Sequence, residues 1–287
     1  MSRIISLPTN LNFASSEFSL YRAIGQTTSP FTGKQRTQEY DAVFWQVIGT
    51  LPVMNRAQAS EWQSFLLQLK GPANTFLMGD PDAKTPQGTY NGTHFTASRV
   101  VDTGTSNVSI AVSGANVTRT GAFTNAYVGC YIHITGAVNE DNNGTHKVSA
   151  KTNNNTVVLD TDYSPNLVNE TFNGKIRQNI KGFEALQLTR VGSGTGTVKK
   201  GDYISVLSGS SSTNSPKQLV MAVEDAVVSG TSYSIKTEPK LRNDMVNGTI
   251  LNFGSPKGRF RMDDKTVSCS ANRASTYSIG FSATEAI

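Results

Sequence analysis

Cysteine, histidine and charged residues are all scarce in this chain. Its 287 residues include two cysteines and three histidines, and only 16% are charged. Cys130 and Cys269 stand far apart in segments of different character, so no disulfide framework is required and two free thiols are the expectation. His94, His133 and His146 have no metal-ligand spacing with one another or with a cysteine. No metal or cofactor is therefore expected. No apolar run approaches the length that spans a bilayer, so no membrane insertion is expected. The segment MSRIISLPTNLNF has neither the apolar core nor the small-residue cleavage site of a secretory signal.

Catalytic patterns are missing as well. There is no G-x-S-x-G nucleophile elbow. The acidic pairs Glu224-Asp225 and Asp263-Asp264 are adjacent in sequence, so on a strand they point to opposite faces and cannot share a substrate. EDNNG (140–144) hints at a calcium loop but lacks the bidentate Glu further on. The chain is expected not to be an enzyme. Its net charge of +5 gathers in the last third, with Lys257, Arg259 and Arg261 close together. Asp263 and Asp264 interrupt that cluster, which argues for a solvated face or subunit contact over a nucleic-acid stripe.

Ser, Thr, Asn and Gly fill the deficit. That mixture suits short strands and many turns. One stretch imitates nucleotide chemistry: RVGSGTGTVKKGDY (190–203). A phosphate loop reads G-x-x-x-x-G-K-[ST]. Here Gly194 lies five residues before Lys199, and Lys200 precedes Gly201 where Ser or Thr belongs. The dinucleotide form fails at Thr197. Both forms need a helix to follow, because its N-terminus attracts the anion. Tyr203, Ile204 and Val206 read instead as a strand, and the stretch is expected to be a glycine-rich hairpin.

One helix is expected over about residues 55–70. Asn55 and Gln58 have capping-box spacing. Trp62, Phe65, Leu66 and Leu69 form one apolar stripe, and Gly71-Pro72 stops it. EFSLYRAI (17–24) and QEYDAVFWQVI (38–48) read as strands around a polar loop at 25–36. From 89 to 176, alternating segments are separated by Asn91-Gly92, Asn143-Gly144 and Asn173-Gly174, strong tight-turn signals. This predicts an antiparallel, sandwich-like β domain. Strand-like segments, including KQLVMAVEDAVV as one run, return from 177 onward. Residues 1–88 hold too few strands to stand alone. The expected architecture is mainly β: a sandwich or barrel-like belt from 1–88 and 177–287, carrying the helix, with 89–176 inserted.

Several segments carry a resemblance. SPFTGKQRTQEYDAVFWQVIGTLP (29–52), RAQASEWQSFLLQLKG (56–71), TFLMGDP (75–81), KKGDYISV (199–206), QLVMAVEDAVVSGTSYSIKTEPKLR (218–242) and GRFRMDD (258–264) resemble the distal tail proteins of long-tailed bacteriophages. The resemblance implies a virion protein of the tail tip, made in the bacterial cytoplasm. It implies a homo-hexameric ring joining the tail tube protein to baseplate hub and fibre proteins, with DNA present only in transit. It carries over no catalytic residue. In the family's common arrangement the accessory β domain is appended and not inserted.

Two sets of residues follow as candidates. Pro30, Phe31, Lys34 and Arg36, with Lys199 and Lys200, are candidates for a subunit interface, as is the loop 208–216. Tyr90, Phe95, Tyr127 and Tyr131 are candidates for stacking on a host-surface glycan, which would make 89–176 an adhesion module. A tail tube or tail completion subunit is the other alternative.

Overall fold

A computed structural model describes residues 3–9, 12–90, 94–97, 107–123, 126–192, 195–211, 215–266, 270–271 and 276–286. Among the described residues the architecture is mainly β with one α-helix. The chain divides into two compact units. Unit 1 is Met1–Lys84, Pro216–Leu219 and Ser255–Ile287; unit 2 is Thr85–Ser215 and Val220–Gly254. The residues expected to form one belt, 1–88 and 177–287, are thus distributed over both units. Asn91-Gly92 and Cys269 lie outside the described residues.

Unit 1 begins with β1 (Ile4–Ile5), β2 (Ser15–Thr28), β3 (Gln35–Thr50), α1 (Arg56–Leu69) and β4 (Thr75–Met78). The capping box forms: Gln58 N donates to Asn55 Oδ1 at 3.0 Å and Asn55 N donates to Gln58 Oε1 at 3.1 Å. Trp62, Phe65, Leu66 and Leu69 are all buried, each adding about 1.5–3 kcal/mol by leaving water. Phe65 meets Phe76 edge-on at 5.5 Å, and Trp62 meets Phe13 at 5.8 Å. The helix stops as Lys70 turns left-handed.

The strands β2 and β3 run further than their sequence pattern suggested. Gln26–Thr28 pair with Gln35–Thr37, so the polar loop shrinks to a tight turn closed by Gly33 N to Ser29 O at 2.9 Å. These residues show no apolar alternation; ladder pairing alone makes them strand.

Unit 2 opens with β5 (Phe95–Ala97) and continues through β6 (Val108–Ser113), β7 (Asn116–Thr118), β8 (Tyr131–Thr135), β9 (Gly144–Lys151), β10 (Thr156–Leu159) and β11 (Glu170–Arg177). Strands β6–β11 close into a barrel in the order β10-β7-β6-β11-β8-β9. The expected sandwich is therefore a closed barrel, which leaves no edge strand open. Ile110, Val117, Phe123, Ile132, Val157 and Ile176 fill it. The acidic EDNNG segment is a single 3-10 turn at Glu140–Asn142. The buried Asn142 amide donates to Val168 O at 2.8 Å and to Glu170 Oε1 at 2.6 Å, so the segment serves the fold.

A second barrel follows from β12 (Ala185–Arg190), β13 (Tyr203–Leu207), β14 (Pro216–Ala222), β15 (Val227–Ser229), β16 (Ser232–Glu238) and β17 (Ile250–Asn252). With β5 they form one sheet, and pairing of β12 with β16 closes it. The run expected as one strand, KQLVMAVEDAVV, is two. It breaks between Ala222 and Val227, where Glu224 turns to Lys236 at 3.3 Å and Asp225 to Lys199 at 2.6 Å.

The chain ends in unit 1 with β18 (Gly258–Met262), β19 (Ser270–Ala271), β20 (Tyr277–Ser278) and β21 (Gly280–Glu285). The completed sheet has the order β1-β4-β18-β21-β3-β2. Glu285 is buried and ties it together. Its carboxylate accepts from Trp45 N at 3.2 Å and Leu219 N at 3.0 Å, while Trp45 Nε1 donates to Leu219 O at 2.9 Å.

Candidate interaction surfaces

The first surface is the outer half of the β2–β3 hairpin. β21 pairs with β3 only over Gln46–Thr50. Beyond it, the described ladder of Gln35–Glu39 is with β2 alone. The register shifts between Arg22 and Ile24, where β3 carries the larger count of residues. Such a bulge bends the ribbon and increases its twist. Past the bend every residue from Pro30 to Ala42 is exposed.

The exposed hairpin residues are not uniformly polar. Phe31 at the tip is 95% exposed, and Ile24, Tyr40 and Ile48 are each more than half exposed. Tyr21 stacks on Phe44 at 4.8 Å, and the Tyr40 ring lies over Gly25, where a Cβ would press on it. Arg22 pairs with Glu39 at 3.0 Å. Single exposed apolar residues are ordinary; here they recur along one ribbon, with Ile24 and Tyr40 near its bend and Phe31 at its tip. Four candidate interface residues, Pro30, Phe31, Lys34 and Arg36, sit together at this tip.

Lys199 and Lys200 belong to unit 2 and have a different task. The 190–203 segment links β12 to β13, which are not neighbours in their sheet, so it is a crossing connection and not a hairpin. It packs against residues 87–90. Thr89 N donates to Thr197 Oγ1 at 3.4 Å, Thr197 N donates to Thr89 Oγ1 at 3.1 Å, and Tyr90 N donates to Thr197 O at 3.2 Å. A Cβ on Gly196 or Gly88 would strike the opposing backbone, and Gly196 also has φ +119°. Close approach of two chain segments explains these glycines; Gly194 lies outside the described residues.

The N–H groups that suggested a phosphate cradle already hold anions. Lys199 N donates to Asp202 Oδ2 at 2.8 Å, and Lys200 N to Asp225 Oδ1 at 3.0 Å. Asp202 also accepts from Gln87 N at 2.6 Å and Gly88 N at 3.3 Å. The Lys199 ammonium sits on Asp225 at 2.6 Å. That bond and the Lys200 N–H hold the Asp225 carboxyl below its ordinary range. The chain's own carboxylates take the place of phosphate.

The four candidate stacking aromatics are withdrawn from solvent. Tyr90 and Phe95 stack at 4.1 Å inside the second barrel. Tyr131 is buried, and its hydroxyl donates to Glu224 Oε2 at 3.2 Å. Tyr127 is half-buried and donates to Gln187 Oε1 at 3.2 Å. Each ring is spent on packing within unit 2, so these residues offer no stacking platform. Alternation along a strand could not reveal this, because it does not say how many faces the finished barrel covers.

His133, His146 and Cys130 are wholly or partly withdrawn from solvent. His146 bonds Ser164 Oγ through Nδ1 at 2.8 Å and Asn142 O through Nε2 at 3.1 Å. The bond to a carbonyl places the proton on Nε2. Burial lowers the His146 and His133 values and pushes the Cys130 thiol up to about 11. Among the described residues no group of His, Cys, Asp and Glu is arranged to hold a metal. Among the described residues no helix is long and apolar enough to cross a membrane. Comparison with protein-family models gives no match, and neither does comparison with curated proteins.

Proposed function

We propose that this chain is a structural protein of a phage tail tip. Six copies form a ring around the DNA channel and join the tail tube to the baseplate or receptor-binding apparatus. The observation that carries the reading is the β2–β3 arm. A two-stranded ribbon is marginal in water on its own, yet this one bears exposed Phe31, Tyr40 and Ile24. Such a ribbon gains stability when another subunit covers it. The resemblance of the surrounding sequence, SPFTGKQRTQEYDAVFWQVIGTLP, supplies the particular assembly. DNA passes through the lumen without being held, which agrees with the modest and interrupted basic charge.

Electron microscopy tests the proposal. Class averages of purified protein should show sixfold rings, and an antibody fragment against the chain should mark the tail tip of intact virions. Labelling along the whole tube would move the protein to the tube subunits. Absence from virions would end the reading.

A further inference from the structure

The six-stranded sheet of unit 1 is asymmetric. One edge is β2, which carries the arm; the other is β1. Beside β1, a cleft of about 740 Å³ opens between the first residues and α1. Ile4, Leu7, Pro8 and Phe65 give it apolar walls, and Glu61 and Ser64 line the helix side. The cleft is broad and open to solvent, so it offers a seat on which an aromatic side chain and its neighbours can lie against apolar walls.

We infer that the arm of one copy docks in the β1–α1 cleft of the next, with Phe31 as the inserted residue. This rests on the ring reading for the choice of a second copy as partner. Four observations favour that occupant. The knob and the cleft lie at opposite edges of one sheet, which is the arrangement a head-to-tail, closing assembly requires. Phe31 is 95% exposed at the tip of a ribbon that extends roughly 15–20 Å past its bend. Lys34 and Arg36 flank it, and Glu61 stands on the cleft wall. Arg3 also lines the cleft, and Asp41 gives the arm a charge of opposite sign. The arm from Ile24 to Ala42 supplies about twenty residues, the size of one side of a standard interface.

Mixing two singly substituted full-length chains tests the contact. Phe31→Cys and Ser64→Cys both alter exposed positions. Under mild oxidation the mixture should give a disulfide-linked dimer that neither chain forms alone. Phe31→Ala should weaken self-association roughly tenfold to a hundredfold, while the melting temperature of the dilute, dissociated chain stays unchanged. A dimer of Phe31→Cys alone, equal to that of the mixture, would mean tip-to-tip contact and overturn the inference. So would intact assembly by light scattering with no cross-link in the mixture, or a chain that stays monomeric at millimolar concentration. Each of these outcomes leaves the tail-tip reading to virion labelling, so the two fail separately.

Discussion

Asp202 offers the sharpest test of the Gly-Lys segment. Its side chain is 2% exposed, and its two oxygens accept three backbone N–H groups, at 2.6, 2.8 and 3.3 Å. Asp202→Asn keeps the shape but gives up one acceptor. The amide oxygen can take over the position of Oδ2, which serves Lys199 and Gly88. Its NH2 then confronts the Gln87 N–H. Losing one charge-assisted bond to a buried group costs about 1.5–3 kcal/mol, and weakening the other two adds to this. We expect a loss of about 2–4 kcal/mol. With a urea dependence of about 2 kcal/mol per molar, the unfolding midpoint falls by roughly 1–2 M. Hydrogen exchange locates the effect: the amides of Gln87, Gly88 and Lys199 should exchange roughly 30-fold to 1,000-fold faster. Adding millimolar inorganic phosphate should not move the wild-type midpoint, because the N–H groups are occupied. A midpoint shift under about 0.3 M with unchanged exchange, or clear stabilisation by phosphate, would refute the reasoning.

Three other expectations can be measured alongside. Gly196→Ala places a methyl against the Thr89 backbone at φ +119°; it should cost about 2–4 kcal/mol by urea unfolding, and no loss would show that the 87–90 crossing is loose. Trp45→Phe should cost about 1–2 kcal/mol more than Trp62→Phe, because Trp45 Nε1 donates to Leu219 O whereas Trp62 Nε1 finds no partner among the described residues; equal costs in paired melts would contradict this. The pH dependence has two limbs. Burial lowers His146, so its contribution is complete above the ordinary value of about 6.5 and is lost as pH falls below it; an NMR titration should find its midpoint below that of an exposed imidazole. Burial raises Cys130 to about 11, so its contribution holds below the unfolded value near 9 and is lost as pH rises towards 11. Rapid thiol labelling of the folded chain at pH 8 would count against a buried Cys130.

What the sequence made legible was local. The helix was readable because its cap, stripe and stop all lie within one short segment, from Asn55 to Gly71. The strand character of the middle third was readable from alternation, but its turns were not: Asn173-Gly174 lies inside β11, paired with Ser109 and Val108, and Gly144 is already the first residue of β9. Partner choice was not, because β12 finds β5 and β16 across long stretches of chain. That is why 190–203 looked like a hairpin, and why Tyr90 and Phe95 looked available to a ligand. The arm was half legible: its tip residues stood out, but Gln26–Thr28 and Gln35–Thr37 have no pattern that distinguishes strand from loop. The roles of Asp202 and Glu285 left no signal, since a lone carboxylate shows nothing of which N–H groups will converge on it.

The threading of unit 1 has a consequence for biosynthesis. Its sheet needs β18 and β21, and its carboxylate clasp needs Leu219 and Glu285, yet all of unit 2 is translated between β4 and β18. The N-terminal strands therefore leave the ribosome long before their partners exist. During that interval β3 and β4 present open edges, the state in which chains stick to one another. Unit 2, whose strands close on each other, can mature first. The hairpin arm, β1 and α1 wait for β18 and β21 to complete their sheet, so the docking surface proposed above would be whole only after unit 2 has been made. Self-association through it would then be held back until that point.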